Sequence, residues 1–81
     1  MARVLLFGPL RDVAGWRERD LPDAPATLYA LRDFLAREDA ALGEALARRG
    51  VQIALDQAIV RGDAAIGAAS EVAFMSPMSG G

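Results

Sequence analysis

The spacing of apolar residues predicts strands at both ends of the chain. Apolar runs at residues 3–7 and 71–75 are too short for amphipathic helices, and Gly8-Pro9 closes the first of them, which is typical of a strand. Weaker alternation of apolar and polar residues predicts further short strands at residues 16–21, 51–55 and 59–60. We therefore expect a sheet of about four to five strands.

Leucines at helical spacing predict one main helix and a shorter second helix. Thr27 stands in the N-cap position of the main helix, whose core face follows at Leu28, Leu31 and Leu35. Asp39 stands in the N-cap position of the second helix, and we expect its C-terminus at Arg48-Arg49, before Gly50. A further helical turn is predicted over residues 10–15.

The order strand, strand, helix, strand, strand predicts an α+β fold with the helices on one face of a mixed sheet and the two terminal strands paired centrally. If Val4 and Leu6 face the helices, strand alternation turns Phe7 and Met75 to the opposite face. An apolar patch on a domain this small is commonly an interaction site. The alternative, that Phe7 and Ile59 belong to the core, stays open at this point.

Composition narrows the possible functions. The 81 residues suffice for one domain, the formal net charge is −2, and all the basic residues are scattered arginines, which is unlike a nucleic-acid-binding protein. The sequence contains no cysteine, histidine or lysine. It therefore excludes a thiolate nucleophile, a histidine base, a Schiff-base lysine and metal sites built from soft ligands. No apolar run approaches a membrane span. We expect a cytoplasmic protein with no metal site.

The last residues form a tail without periodicity. We place the folded domain at residues 1–75 and a flexible tail at residues 76–81, which ends in Gly80-Gly81. Glycine lacks Cβ, so such a tail can thread a narrow channel and offer an unhindered carboxylate to a nucleotide. Coupling to AMP would activate that carboxylate for attack by a sulfur donor. The alternative is a frayed end with no function.

Two segments carry a resemblance to a known family. VLLFGPLRDVAG at residues 4–15 and EVAFMSPMSGG at residues 71–81 resemble the small sulfur-carrier subunit of molybdopterin synthase, which has the β-grasp, ubiquitin-like fold. The likeness spans the whole chain. Three departures affect a turn and a loop rather than the tail chemistry: Ser76 replaces a proline, Asp56 stands where asparagine is common, and residues 67–70 replace an acidic turn.

The resemblance implies a non-catalytic carrier in molybdenum cofactor biosynthesis. An E1-like adenylating enzyme would use ATP to adenylate Gly81, which then becomes a thiocarboxylate. The tail would enter the large catalytic subunit of molybdopterin synthase and donate its sulfur to a pterin precursor, forming the dithiolene of molybdopterin. The carrier would hold sulfur covalently and bind no permanent cofactor, and neither nucleic acid nor membrane would be a partner.

The same resemblance implies roles for individual residues. Gly81 would carry the adenylate and the thiocarboxylate, and Gly80 would let the tail thread into the partner. The partner-binding residues would be Phe7, Arg11, Ile59, Met75 and Pro77. For Arg11, the alternative is an ordinary solvated surface charge.

Three other functions remain open from the sequence. The chain could be a carrier of the same fold that serves thiamin, cysteine or tRNA thiolation. It could be a ubiquitin-like modifier conjugated through Gly81 to lysines of other proteins. It could also be a β-grasp interaction module with an inert tail.

Overall fold

A computed structural model of the chain describes residues 2–76. Within them, five strands form one sheet: β1 (Ala2–Phe7), β2 (Glu18–Leu21), β3 (Gln52–Leu55), β4 (Ala58–Val60) and β5 (Glu71–Met75). The helices of this part of the chain are α1 (Pro9–Ala14), α2 (Leu28–Glu38) and α3 (Ala40–Leu46). Of the predicted tail, only Ser76 belongs to the described residues, so the boundary placed after residue 75 stays a prediction.

The sheet has the order β2-β1-β5-β3-β4. β1 and β5 are parallel and occupy its middle, while the other neighbouring strands are antiparallel. Central pairing of the two terminal strands is therefore confirmed, as is the mixed five-stranded α+β arrangement of a β-grasp fold. Because β1 and β5 run in the same direction, their C-terminal ends lie side by side, and Phe7 is opposite Met75 there.

The core lies between one sheet face and the helices. From the sheet it takes Val4 and Leu6 of β1 and Val72 and Phe74 of β5, each at most 1% exposed. The leucine face of α2 fills the other side, with the fully buried residues Leu28, Leu31 and Leu35. Burial of these apolar side chains is the main contribution to the stability of the folded state.

Side-chain and glycine caps set most helix ends where the sequence predicted them. The Thr27 hydroxyl accepts a hydrogen bond from the Ala30 amide at 3.2 Å, and the Asp39 carboxylate accepts one from the Leu42 amide at 3.2 Å. Gly15 ends α1 in the left-handed region, with φ of 83°, where a side chain would be strained.

The predicted end of the second helix is wrong. α3 ends at Leu46, and Arg48 and Arg49 lie in the turn that follows it. The Arg48 amide donates to the Ala45 carbonyl and the Val51 amide to the Arg48 carbonyl, while Gly50 adopts φ of 93°. Leu46 is the last α3 residue that contributes to the core, and the chain must then turn back to enter β3. Tertiary packing therefore ends the helix earlier than its charges suggest.

α2 and α3 touch closely at a glycine. A Cβ added at Gly43 would lie 2.6 Å from the Ala36 Cβ and 2.9 Å from its Cα, which is closer than such atoms can approach. Because the second contact is to the backbone, the two helices would have to separate. Glycine is required here for space rather than for its conformational freedom.

We predict that Gly43→Ala lowers the free energy of unfolding by up to about 2 kcal/mol. Overpacking typically costs about 1–3 kcal/mol, which outweighs a helix-propensity gain of roughly 1 kcal/mol. Urea denaturation would measure the change. Gly62→Ala is the matched control, because a Cβ there meets nothing within 4 Å. Equal or greater stability of Gly43→Ala than of the parent would contradict the close helix contact.

An ion pair joins β2 to the end of α2. Arg19 Nη1 lies 2.7 Å from Glu38 Oε1, and the Arg19 guanidinium carbon lies 5.2 Å from the centroid of the Trp16 ring. The hydrogen bond from Arg19 lowers the pKa of the Glu38 carboxyl. Both side chains are a third or more exposed, so solvent screens their attraction.

We predict that Glu38→Gln lowers the free energy of unfolding at neutral pH by less than about 1 kcal/mol, as for other exposed pairs. A lowered carboxyl pKa stabilises the fold above the unfolded-state value of about 4.3, and this contribution is lost as the pH falls through the lower folded-state pKa. Acid denaturation of Glu38→Gln should therefore begin from a lower plateau but show a shallower slope. Glu44→Gln, an exposed glutamate without an ion pair among residues 2–76, should leave the curve unchanged.

Candidate functional site

The sheet face opposite the helices is apolar at its centre. Strand register sets Leu5, Ala73, Ala54 and Ile59 in one row across four strands, and the next row contains Phe7 beside Met75. We call these six residues the open sheet face. Phe7 is 47% and Ile59 49% exposed, while their neighbours Leu6 and Val60 pack with the core. The alternative that Phe7 and Ile59 are core residues is therefore wrong.

Charged residues border this face at the end away from Met75. Arg3 Nε lies 3.4 Å from carboxylate oxygens of both Glu18 and Asp20, and Arg3 pairs in register with Glu71 of β5. An apolar centre with a charged border is the usual composition of a protein-binding surface. The open sheet face has the character of a docking surface.

The predicted tail would start at the apolar end of this face. Met75 lies opposite Phe7, and Ser76 follows next to Gly8, where an added Cβ would lie 3.7 Å from the Ser76 Oγ. Arg11 lies on α1, the helix that follows Gly8. Its side chain is exposed and forms no ion pair with the described part of the chain. The structure therefore brings Phe7 and Met75 together, places Ile59 on the same face, and sets Arg11 on the adjoining helix.

The other predicted site residues, Pro77, Gly80 and Gly81, lie outside the described residues. Their roles stay predictions. The last described residue, Ser76, lies at the C-terminal end of β5, close to Gly8 and the start of α1.

Asp56 positions β5, and this role was not predicted from the sequence. Asp56 and Gln57 form a tight turn with φ of 50° and 71°. The Asp56 carboxylate accepts from the Glu71 amide at 2.9 Å, and the Asp56 amide donates to the Glu71 carbonyl at 2.8 Å. Asp56 thus holds the first residue of the strand that leads into the tail. An aspartate beginning a two-residue turn was the available signal.

The loop before β5 is closed by a serine. The Ser70 Oγ accepts a hydrogen bond from the Gly67 amide at 2.8 Å, and Ser70 is 8% exposed. A hydroxyl therefore holds the turn at residues 67–70. Asp56 and Ser70 both form local hydrogen bonds near β5.

The described residues contain neither a candidate metal site nor a candidate membrane-spanning helix. Residues 2–76 contain no group of three or more His, Cys, Asp or Glu side chains placed so that they could hold a metal ion. No helix there has the length and hydropathy to cross a membrane.

Comparison with known proteins identifies the family. The model of the ThiS family matches residues 4–81. The chain belongs to the ThiS family. It is also 31% identical to the molybdopterin synthase sulfur carrier subunit of Haemophilus influenzae, with 100% of both chains covered.

Solved structures share the fold of this ThiS-family chain. SAMP1 from Haloferax volcanii is 26% identical and superimposes with a TM-score of 0.77, covering 99% of this chain and 98% of the other. Small archaeal modifier protein 1 from Methanosarcina acetivorans, at 22% identity, has a TM-score of 0.83 with 99% and 95% coverage. The second likeness supports the fold alone.

We predict opposite outcomes for two adjacent residues of β1 in this ThiS-family chain. Leu6→Ala should lower the free energy of unfolding by about 2–5 kcal/mol, because it empties a buried site. Phe7→Ala should cost less than about 1 kcal/mol, because Phe7 lies on the open sheet face. Denaturation with a chemical denaturant would compare them. A large loss for Phe7→Ala would show that this face is closed in solution.

Proposed function

We propose that this ThiS-family chain is a non-catalytic sulfur carrier that acts in molybdenum cofactor biosynthesis through the carboxylate of Gly81. The observation that carries the proposal is the full-length similarity to a molybdopterin synthase sulfur carrier subunit, which includes the tail. The mixed five-stranded sheet of the described residues agrees with the fold of the small modifier proteins that this chain resembles.

The proposed cycle has two steps at the same carboxyl group. On an E1-like adenylating enzyme, a Gly81 carboxylate oxygen attacks the α-phosphorus of ATP, pyrophosphate leaves, and an acyl adenylate forms. Hydrosulfide, the sulfur donor of this step, then attacks the acyl carbon. A carbon–sulfur bond forms, the bond to AMP breaks, and a thiocarboxylate remains. ATP is used by the adenylating partner, so the carrier needs no permanent cofactor of its own.

The place where β5 ends supports this use of the tail. Met75 is held in the middle of the sheet, between β1 and β3, so the chain leaves the domain from a rigid point. Six residues can extend at most about 20 Å. That length would carry the Gly81 carboxylate beyond the domain surface and into the active site of a partner. Gly80 would allow a narrow passage there.

The open sheet face is the proposed docking surface for the large catalytic subunit of molybdopterin synthase. Phe7, Ile59 and Met75 would supply apolar contacts, and Pro77 would contact the partner at the start of the tail. Arg11 would pair with an acidic group of the partner at the border. Sulfur would pass from Gly81 to the pterin precursor, and the cytoplasm is the proposed place of the reaction.

A second function is supported by the likeness to SAMP1, a small archaeal modifier protein. A modifier would use the same activated carboxylate to form an isopeptide bond with a lysine of another protein. The present chain contains no lysine, so it could be joined to others but could not form chains on itself through isopeptide bonds. Carriers for thiamin, cysteine or tRNA thiolation would share the first two chemical steps and differ in the acceptor.

Intact-mass measurement after co-expression with an adenylating enzyme and a sulfur donor tests the carrier chemistry. We expect a mass increase that matches the exchange of one oxygen for one sulfur. A chain lacking Gly81 is the control and should keep its mass while remaining folded, since terminal residues contribute little stability.

An unchanged mass with an adenylating enzyme that loads its own carrier would overturn the sulfur-carrier proposal. A mass increase together with sulfur transfer to the pterin precursor in the large subunit would support the molybdopterin assignment. Covalent adducts with other proteins, in place of thiocarboxylate, would favour the modifier.

A further inference from the structure

A second surface lies at the start of the tail, on the helical side of the sheet. Pro9 and Val13 of α1, Ala45 of α3 and Val51 at the entry to β3 line a groove of about 190 Å³ that reaches Ser76. We call it the exit groove. It is separate from the open sheet face, because α1 and α3 cover the opposite face of the sheet.

Two arginines give this groove its charge. Arg48 and Arg49, which follow α3, contribute to its lining. Neither forms an ion pair with a carboxylate of residues 2–76, whereas Arg3 and Arg19 do. In a protein with a formal net charge of −2, two adjacent unpaired cations beside an aliphatic groove form a local positive site.

The residues that line the exit groove indicate which side chains of a partner could bind there. Aliphatic carbon from α1, α3 and Val51 favours a branched aliphatic side chain, and Val13 is 42% exposed and available for contact. Guanidinium groups favour a carboxylate, which they can hold through two hydrogen bonds. The fitting segment is therefore an aliphatic residue next to Asp or Glu on another protein.

We propose that the exit groove is a second docking site for the large synthase subunit, occupied by an aliphatic side chain and an adjacent carboxylate of that subunit. The proposal rests on the proposed function. A protein that encloses the tail must approach Ser76 from more than one side. The open sheet face lies on one side of this residue and the exit groove on the other. Contact at both would fix the direction in which the tail enters the active site.

Binding of the full chain to purified large subunit tests this site. Arg48→Glu and Arg49→Glu should each weaken binding by about tenfold and flatten its dependence on salt, because each removes an attraction and adds a repulsion. Val13→Asp should weaken binding as well, through the aliphatic part of the groove. Arg37→Glu makes the same charge change on an exposed arginine of α2 outside the groove and should bind within about twofold of the parent.

Thermal unfolding of each variant would verify that it is folded. If Arg48→Glu and Arg49→Glu bind as Arg37→Glu does, while the parent binds and carries sulfur, the exit groove is not a docking site and the proposed function stands. If the parent neither binds the large subunit nor gains sulfur, both proposals are overturned.

Discussion

Strands from opposite ends of the chain lie parallel at the centre of the sheet, and the remaining parts of the molecule are arranged around them. Parallel strands are usually buried on both faces, yet here the helices cover only one. β1 and β5 meet this constraint by presenting large side chains to the helices and, towards the open face, small or partly shielded ones such as Ala73. The open sheet face becomes strongly exposed only near the end of β1 and at the edge strand β4.

The same pairing places Phe7, Met75 and the start of the predicted tail at one end of the central strands. Because β1 and β5 end together, α1 begins beside the point where the tail begins. Apolar surface therefore lies on both sides of Ser76, one part from the sheet and one part from the helices. Asp56 strengthens this arrangement from the far end of β5, by hydrogen bonds to both backbone groups of Glu71.

Local patterns were sufficient for the elements that carry strong periodicity or a cap. The terminal strands, α2 with its Thr27 cap and the outward direction of Phe7 could all be predicted, because each depends on nearby residues. The end of α3 could not, because the return of the chain into β3 decides it. The Arg19–Glu38 pair and the exit groove also escaped prediction, since each combines residues that only the tertiary fold brings together. For the proposed site, alternation turned Phe7 and Met75 outward, whereas Ile59 and the partner-binding role of all three residues came from the family resemblance.

Placing the last strand beside the first also governs how the domain can form. β5 contacts both β1 and β3, so the sheet stays in two unconnected parts until β5 is available. Contacts this distant in sequence require closure of a long loop and slow the folding of small domains. During synthesis, the domain can complete its core only after β5 has left the ribosome. Chains terminated before β5 would lack the strand that unites the sheet, so they could not form the complete core.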